Sequence, residues 1–477
     1  FGESNPTLPL QAGGTIVHGN ATRLDWEVVC PKNLNNEIYI LGNPPYLGQR
    51  NQKEEHQADM SFVFSKVNNY KNLDYISIWF YKASKYIDTN SKFAFVTTNS
   101  LCQGTQVEML WPLIFANMQE IFFAYKNIKW TNNAKDKAGV TVSIIGVKTI
   151  SNSNKYLIEE NRVIDARNIN AYLINGSNII VTNNKKPISE LNKMEGGNQP
   201  REGGYFILTD IEKNEIVIDH PNVAKYIRPL IGSSEFINNI SRWCIWIHES
   251  EVEEASKIDV LKSKIDAVKL LRTTGNTLER NFINVPYRFI QNKTAHNNSI
   301  IIPVVSSESR DYIPIGFLHS NYIVLNSANV IFDPEIFSFS ILCSKIHNIW
   351  VKSVAGKLEN RIRYTNGVCW NSFPFPKISN SQKEELTLCV FRILEERESH
   401  SEKTLAQLYD PDKMPAGLRE AHRLNDLAIE RCYRSKPFES DEERLEYLFK
   451  LYEKMIAEEK VKDKLFEEEK KAKKKKA

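Results

Sequence analysis

The sequence lacks long apolar runs and paired cysteines. No stretch of its 477 residues reaches the roughly 20 apolar residues that cross a bilayer. Its first residues have neither the charged region nor the apolar core of a secretion signal. We therefore expect a soluble, cytoplasmic protein without membrane contact. Without a C-x-x-C pair, the sequence predicts neither a disulfide framework nor a metal site, and we interpret the cysteines as reduced structural thiols.

An excess of positive charge is also missing from most of the chain. The formal net charge is +4, but Lys460–Ala477 alone contains nine Lys against four acids, which leaves about −1 for the remainder. Any surface that binds nucleic acid must therefore be a local patch. The basic tail Lys470–Lys476 could add to such a patch, but we interpret it as the solvated end of a helix.

Short β-rich runs alternate with amphipathic helical runs in residues 1–150. Tyr75–Tyr86 and Val107–Asn117 place apolar residues at helical spacing. This alternation predicts an α/β domain with a largely parallel sheet. The predicted strands are Thr15–His18, Glu37–Leu41, Phe93–Thr97, Ile121–Tyr125 and Val140–Val147.

The pattern changes twice further along the chain. Residues 151–205 are rich in Asn, Ser and Lys, and Gly196–Gly204 breaks any regular pattern, so we predict a linker there. From Tyr205 to Pro376, aromatic-rich strands mix with Pro and Gly turns, which is typical of an α+β domain. Beyond Ser379 the pattern is helical. The predicted domains are 1–195, 196–378 and 379–477, the last with the basic tail.

The sharpest motif is Asn43-Pro44-Pro45-Tyr46, just past the carboxyl end of a predicted strand, where open α/β sheets bind ligands. An exocyclic amine on an aromatic ring is a poor nucleophile because its lone pair is delocalised. Two acceptors holding its N–H groups would localise that lone pair, and the Asn43 side-chain oxygen and the Pro44 carbonyl can supply them. The prolines fix the backbone. Tyr46 offers a ring on which a flipped-out base can stack.

This chemistry leaves alternatives open. The tetrapeptide can be a Pro-Pro turn that only ends the strand, although the preceding strand and the polar loop Gly48–Gln57 favour a functional role. A protein glutamine and the N4 amine of cytosine would need the same two acceptors. Asn rather than Ser at position 43 favours adenine, and the additional domain Tyr205–Pro376 favours DNA over protein. A DNA-binding specificity module without catalysis is the remaining alternative.

The motif lies among further sequence blocks in a fixed order. They include TIVHGNATRLDW at Thr15–Trp26, ILGNPPYLG at Ile40–Gly48, FVTTNSLCQG at Phe95–Gly104, KWTNNAKDKAGV at Lys129–Val140, RYTNGVCWNSFPFP at Arg363–Pro376 and LYDPDKMPAGLREAH at Leu408–His422. Together these blocks resemble the class I S-adenosylmethionine-dependent DNA adenine-N6 methyltransferases, and more narrowly the MmeI-like, type IIL restriction–modification enzymes. The resemblance extends over almost the whole chain. It implies an incomplete Rossmann-like methyltransferase sheet in domain 1–195, a target-recognition domain in 196–378, and double-stranded DNA as the substrate.

The resemblance also implies roles for individual residues. It makes Asn43–Tyr46 the catalytic motif. It places Asn20 where such enzymes hydrogen-bond the adenine of the methyl donor, a role compatible with the Asx-turn that Asn20 could form at the end of the preceding strand. Trp130 matches an aromatic residue that holds the other face of the flipped base, and a core tryptophan is the alternative.

Two features of such enzymes have no match in this sequence. The Gly-rich G-x-G loop that follows their first strand is missing, and no nuclease carboxylate cluster precedes the first motif. We expect both in a missing N-terminal part of the same polypeptide, upstream of Phe1. The chain alone is therefore expected to bind S-adenosylmethionine weakly and not to methylate.

The predicted target-recognition domain contains a basic stretch. Between Lys345 and Lys377 there are six basic residues against one acid, with five aromatic residues interleaved, which suits a surface that faces DNA. Polar residues alternate in KLENRIR at Lys357–Arg363, so one strand face is predicted to read bases, arginine being able to bond guanine twice. A solvated edge strand is the alternative. The predicted base-reading residues are Lys357, Glu359, Arg361 and Arg363.

Overall fold

A computed structural model describes most of the chain in two compact units. The first unit runs to Cys102 and continues over Gln106–Ile180, and the second comprises Gln103–Thr105 and the chain from Val181 onward. The side chains of residues 129, 130, 140, 358 and 463–476 lie outside the description. The described residues are 14–33, 35–130, 140–160, 162–358 and 361–476.

The first unit is built on one sheet. Its strands are β1 (Ile38–Gly42), β2 (Ser91–Thr98), β3 (Gln119–Trp130), β4 (Val140–Thr149), β5 (Lys155–Glu159) and β6 (Arg162–Ala166). Their order is β1-β2-β4-β3-β5-β6, with β1–β2 and β3–β5 parallel and the other neighbours antiparallel. The α/β class is confirmed, but the sheet is mixed rather than largely parallel. One reason is that the connection from β5 to β6 is too short for the crossover that parallel pairing needs.

Helices cover the sheet of the first unit. They are α1 (Trp26–Val29), α2 (Glu54–Val63), α3 (Ser77–Tyr86) and α4 (Gly104–Phe115). Phe80 of α3 is fully buried, and its ring centroid lies 5.8 Å from Phe93, 5.5 Å from Phe95 and 6.1 Å from Trp111. These edge-on contacts join α3 and α4 to β2. The helical spacing predicted for Tyr75–Tyr86 is thus confirmed in α3.

The predicted strand Thr15–His18 is wrong. Its residues form no strand and are exposed, Ile16 to 96%. An extended segment needs a neighbouring strand to take its backbone hydrogen bonds. Within the described sheet β1 is one of the two edge strands, and its apolar side chains Tyr39 and Leu41 remain 59% and 75% exposed.

The second unit contains three small sheets. They are formed by β7 (Glu195–Gly196), β8 (Ile207–Leu208), β9 (Ile227–Ile231), β10 (Trp243–Ile245), β11 (Asn298–Pro303), β12 (Val305–Ser307), β13 (Gly316–His319), β14 (Ile323–Val324), β15 (Ala328–Phe332), β16 (Gly356–Leu358) and β17 (Arg361–Arg363). The orders are β14-β9-β10-β8, β13-β11-β15-β7 and β12-β17-β16. The irregular α+β pattern predicted for this part is confirmed.

Helices dominate the end of the second unit, as predicted. Those of the unit are α5 (Asp210–Asp219), α6 (Ser233–Asn238), α7 (Val252–Ala255), α8 (Asp259–Thr274), α9 (Thr277–Arg280), α10 (Phe337–Leu342), α11 (Lys345–Val354), α12 (Asn366–Cys369), α13 (Asn380–Glu398), α14 (Leu405–Leu408), α15 (Ala416–Tyr433) and α16 (Asp441–Lys476). Helix α13 begins with a reciprocal cap. Ser379 Oγ accepts from the N–H of Gln382, whose side chain accepts from the N–H of Ser379.

The predicted linker Gly196–Gly204 is wrong, because this segment is woven into the second unit. Gly196 pairs with β15, and the buried side chain of Asn198 bonds the main chain of Lys293 in both directions, at 2.7 and 2.8 Å. A Cβ on Gly197 would lie 2.3 Å from the carbonyl oxygen of Leu325. Glycine is therefore required here for close backbone approach rather than for flexibility.

Candidate functional site

Three strand ends of the first unit meet at one edge of the sheet. β1 runs parallel to β2, and β4 is antiparallel to both β2 and β3, so β1, β2 and β3 end at the same edge. Asn43 follows β1, Asn99 follows β2, and Trp130 ends β3. Three strand spacings, about 14 Å, separate β1 from β3. The edge therefore gathers Asn43 and the backbone of Trp130, while the side chain of Trp130 lies outside the described part.

Asn43–Tyr46 forms a loop that leaves this edge directly from β1. Asn43 and Pro45 are exposed, Pro44 is buried, and Tyr46 is half-buried. Pro44 thus packs against the first unit, while the Asn43 amide remains accessible. An accessible amide oxygen followed by a rigid Pro-Pro backbone can hold two N–H groups of a planar amine.

The loop is fixed at its far end through Leu47. The N–H of Leu47 donates to Asp74 Oδ1 at 2.8 Å, and its carbonyl accepts from the N–H of Tyr75 at 3.0 Å. Gln52 Nε2 donates to the same carbonyl at 3.1 Å and to the carbonyl of Leu73 at 2.9 Å. The residue after Tyr46 is therefore held by both of its main-chain polar atoms.

Polar side chains also converge after β2. Asn99 Nδ2 donates to Asn127 Oδ1 at 2.9 Å, and Ser143 Oγ donates to Asn99 Oδ1 at 2.6 Å. Asn127 lies at an irregularity of β3, with a φ of 56°, and donates to Glu159. This cluster places further hydrogen-bonding groups at the edge that carries Asn43.

Asn20 lies in a short turn rather than at the end of a strand. Its Oδ1 accepts from the N–H of Thr22 at 2.9 Å, which closes the Asx-turn that was the compatible alternative. Its Nδ2 donates to Asp59 Oδ2 at 3.0 Å, and Asp59 also accepts from Arg23 at 2.7 Å and Tyr75 at 2.8 Å. Burial raises the pKa of Asp59, but these bonds outweigh it and leave that pKa below its usual value. The contact of Asn20 with a methyl donor stays a prediction.

The single strand predicted over Lys357–Arg363 is wrong, because β16 and β17 are two antiparallel strands, and the base-reading role stays a prediction. β16 and β17 pair antiparallel with Lys357 opposite Ile362, so these two side chains share one face and Arg361 and Arg363 share the other. Ile362 is buried, both arginines are exposed, and Lys357 binds Glu308. Polar residues alternate in the same way along one strand and across two short antiparallel strands, so the sequence pattern could not reveal the reversal. Glu359 lies outside the described residues.

The aromatic residues of the basic stretch do not face solvent. All five are at most 3% exposed, since apolar burial outweighs any surface role: Trp350, Tyr364, Trp370, Phe373 and Phe375. Two of the basic residues are paired on the surface, Lys345 with Asp441 and Lys377 with Glu190. The interleaved aromatic residues are therefore not part of a DNA surface, and contact of the exposed basic residues with DNA stays a prediction.

Sequence reasoning missed Asp59, Asp74 and Gln52, which hold the segments around the motif. An acidic residue close to the start of an amphipathic helix was the available signal for Asp74, but such a residue is usually only a helix cap. Among the described residues, no group of three His, Cys, Asp or Glu side chains is arranged to hold a metal ion. None of the described helices is long and apolar enough to cross a membrane.

Comparisons with known proteins match most of the chain. The MmeI DNA-methyltransferase domain matches residues 1–159, the MmeI target recognition domain 175–377, and the MmeI C-terminal domain 378–459. DNA methyltransferase A of Bacillus subtilis (strain 168) is 44% identical over 453 residues, which are 94% of this chain and 51% of that protein. The type IIL restriction–modification enzyme MmeI, solved in complex with DNA, is 35% identical, with a TM-score of 0.85 over 94% of this chain and 61% of that one. The chain thus spans about half the length of its curated relative.

Proposed function

This chain belongs to the MmeI family, and on that premise we propose that it transfers a methyl group from S-adenosylmethionine to N6 of an adenine in double-stranded DNA, within a restriction–modification system. One observation carries the proposal: the exposed Asn43 amide and the rigid Pro44-Pro45 backbone stand at the carboxyl end of β1, beside two further strand ends. The chain spans about half the length of DNA methyltransferase A, so the activity, substrate and partners of such a whole protein are proposed for it here.

The chemistry follows from two acceptors. The adenine amine donates one N–H to Asn43 Oδ1 and the other to the Pro44 carbonyl, which favours a pyramidal nitrogen with its lone pair directed outward. S-adenosylmethionine would supply the methyl group to N6; its sulfur–methyl bond would break to leave S-adenosylhomocysteine, and the proton lost from N6 would pass to water. The base must leave the duplex first, at a cost of a few kcal/mol. Stacking on the half-buried ring of Tyr46 offsets part of that cost.

The described residue that fits the methyl donor is Asn20. Its side chain is exposed, and the structure gives Nδ2 one acceptor, Asp59, so its second N–H can donate to a ring nitrogen of the donor's adenine. When bound, S-adenosylmethionine supplies an electrophilic methyl group on a positively charged sulfur. A strong protein base is therefore unnecessary at the adenine amine.

Sequence reading belongs, in this proposal, to the second unit. Arg361 and Arg363 are exposed on one face of the β12-β17-β16 sheet, held from the other side by buried Ile362. A guanidinium presented in this way can bond the O6 and N7 atoms of guanine together. In this proposal Lys357, which lies on the opposite face and binds Glu308, does not read bases, and base reading by Glu359 stays a prediction.

The product of the reaction tests the proposal. The assay uses the chain, and in parallel a chimaera in which the chain is joined to the portion of the Bacillus subtilis relative that it does not cover. Each is incubated with DNA and S-adenosylmethionine carrying an isotopic methyl label, and the digested nucleosides are identified by mass spectrometry. We expect labelled N6-methyladenine from the chimaera.

Other products would decide for the alternatives. Labelled N4-methylcytosine would identify a cytosine enzyme, and label in a glutamine of a protein added in a parallel reaction would identify a protein methyltransferase. Specific DNA binding without any methyl transfer would leave a recognition module. Each of these three results would overturn the proposal.

A further inference from the structure

The main-chain N–H and carbonyl of Leu47 attach the candidate catalytic loop to the rest of the first unit. It directly follows Tyr46, and its N–H is 2.8 Å from Asp74 Oδ1. Its carbonyl is 3.0 Å from the N–H of Tyr75, the next residue after Asp74. Two adjacent residues, Asp74 and Tyr75, thus bond both main-chain polar groups of Leu47.

Asp74 is itself held firmly. Its side chain is buried, with the residue 7% exposed, and also accepts from the N–H of Ile76 at 3.2 Å. Its own N–H donates to Gln106 Oε1 at 2.9 Å, and Gln106 Nε2 donates to the carbonyl of Asn72 at 2.6 Å. Gln106 of α4 therefore holds the main chain of Asp74, and the N–H of Ile76, just before α3, holds its side chain.

A charged carboxylate is energetically unfavourable at this buried position. Burial raises the pKa of Asp74, and the backbone bonds from Leu47, Ile76 and Tyr75 only partly oppose that rise. A neutral Ser, Thr or Asn would cap the start of a helix at less cost. Helix capping does not explain the additional bond from Leu47. A charged acceptor makes such bonds shorter and stronger.

We propose that Asp74 is a positioning residue for methyl transfer: by holding the Leu47 peptide it fixes the direction in which Asn43 and Tyr46 meet the target base. The inference rests on the proposed function, because the loop's part in methyl transfer comes from there. Its bonds run to main-chain atoms, so its effect reaches the reaction only through the loop. A displacement of about 1 Å at a reacting group can slow a reaction about 100-fold.

Amide hydrogen exchange tests the mechanical half on the chain as it stands. The variants are Asp74→Ala, Asp74→Asn, which keeps an acceptor oxygen, and Asp88→Ala as a matched control. Asp88 also accepts from a nearby hydroxyl and backbone N–H, of Ser91 and Asn90, but in the turn before β2. We expect exchange in the peptide covering residues 43–48 to be at least about 10-fold faster in Asp74→Ala. Asp74→Asn and Asp88→Ala should stay within about 3-fold of the parent.

Single-turnover kinetics on the chimaera test the chemical half. For Asp74→Ala we expect the methyl-transfer rate to fall about 10- to 100-fold, with the Kd for DNA within about 3-fold, and Asp74→Asn to recover most of the rate. A general loss of folding would lower the melting temperature in both alanine variants alike, whereas the rate should fall only in Asp74→Ala.

The outcomes separate the two proposals. If the parent chimaera makes no N6-methyladenine, the proposed function fails, and the exchange experiment still decides whether Asp74 holds the loop. If the parent methylates and Asp74→Ala does so at the same rate, or if exchange in residues 43–48 does not change, the positioning role is wrong.

Discussion

Asn43 is the residue whose loss should affect chemistry most and binding least. Its exposed side-chain oxygen acts on the amine only when the base has entered the site. For Asn43→Ala in the chimaera we expect methyl transfer to fall below detection while DNA affinity stays within about 3-fold, since an interaction made in the transition state leaves ground-state binding unchanged. Methyl-transfer rates and gel-shift affinities measure the two effects. Near-normal turnover would remove Asn43 from the catalytic role.

Tyr46 should act through stacking. It is half-buried in the loop that follows β1, and an aromatic ring contributes about 1 to 3 kcal/mol to the capture of an unstacked base. We expect Tyr46→Ala to lower the population of flipped base by that amount and Tyr46→Phe to leave it nearly unchanged. The fluorescence of 2-aminopurine at the target position reports the population. An unchanged signal in Tyr46→Ala would mean that the ring serves packing alone.

Asp426 of α15 should make stability depend on pH. Burial raises its pKa to about 7, although the N–H of Lys345 and the hydroxyl of Tyr312 bond it at 2.6 and 2.7 Å. An unfolded Asp titrates near about 3.9. The folded chain therefore binds more protons between these values, and stability falls as pH rises from about 4 to about 7. Asp426→Asn removes this titration. The melting temperature of the variant should therefore rise relative to that of the parent as the pH increases from 5 to 8.

Asp333 provides a control of opposite sign. Burial raises its pKa, but the backbone N–H groups of His296, Asn297 and Asn298 outweigh that and lower it. Its stabilisation is present at neutral pH and lost as pH falls through the lowered pKa. Asp333→Asn should therefore be no more favourable at pH 8 than at pH 5. If the melting temperatures of Asp426→Asn and the parent differ by the same amount at pH 5 and at pH 8, the assignment of the raised pKa to Asp426 is wrong.

At the scale of elements, the β16–β17 hairpin has two sides with different expected effects. Arg361 and Arg363 are exposed together, whereas Lys357 lies on the other face and binds Glu308. Replacing either arginine in the chimaera should relax or switch one position of the methylated site, since a bidentate contact discriminates bases by about 1 to 3 kcal/mol. Lys357→Ala is the matched control and should keep the site unchanged. Single-molecule sequencing of methylated DNA measures the site.

A contact to phosphate would give a different result at the same arginines. Binding would weaken evenly across sequences and become less sensitive to salt, with the methylated site unchanged. Base reading would then have to lie elsewhere in the unit. Two of the basic and amide side chains available there are already engaged: Asn276 caps α9, and Arg288 donates to the carbonyl of Phe289.

Regular elements were predictable where the period was long and consistent. Tyr75–Tyr86 has helical spacing and forms α3, and Val140–Val147 lies within β4. Short elements were not predictable, because the alternation of polar residues in one strand looks the same as that in two antiparallel strands of three residues each. Thr15–His18 has strand composition without a neighbour to pair with, and pairing rather than composition decides whether a strand forms.

The candidate site divides in the same way. Asn43–Tyr46 could be found because its chemistry is local to four consecutive residues. Asp74 is 27 positions from Leu47, and Asp59 is 39 positions from Asn20, so their bonds exist only once the chain has folded. The residues that would perform chemistry were therefore predictable, and those that hold them in place were not.

At the scale of the whole molecule, charge is concentrated at one end. Lys460–Ala477 contains nine Lys against four acids, while the rest of the chain is close to neutral. If specific binding comes from the hairpin, replacing Lys470–Lys476 by a Gly/Ser sequence of equal length should leave DNA affinity within about 3-fold at about 0.15 M salt. Titrations at several salt concentrations test this. A loss of 10-fold or more, with a flatter salt dependence, would assign the tail to DNA binding.

The grip on Leu47 has an evolutionary consequence. Asp74 and Tyr75 bond the peptide group of that position and not its side chain, and every amino acid except proline supplies the same N–H and carbonyl. A mutation at position 47 to any residue except proline therefore keeps both groups that make these bonds, whereas a mutation at position 74 keeps its bond to Leu47 only if the new side chain carries an acceptor of matching length. Selection for this attachment thus acts on the side chain at position 74 and on the main chain at position 47.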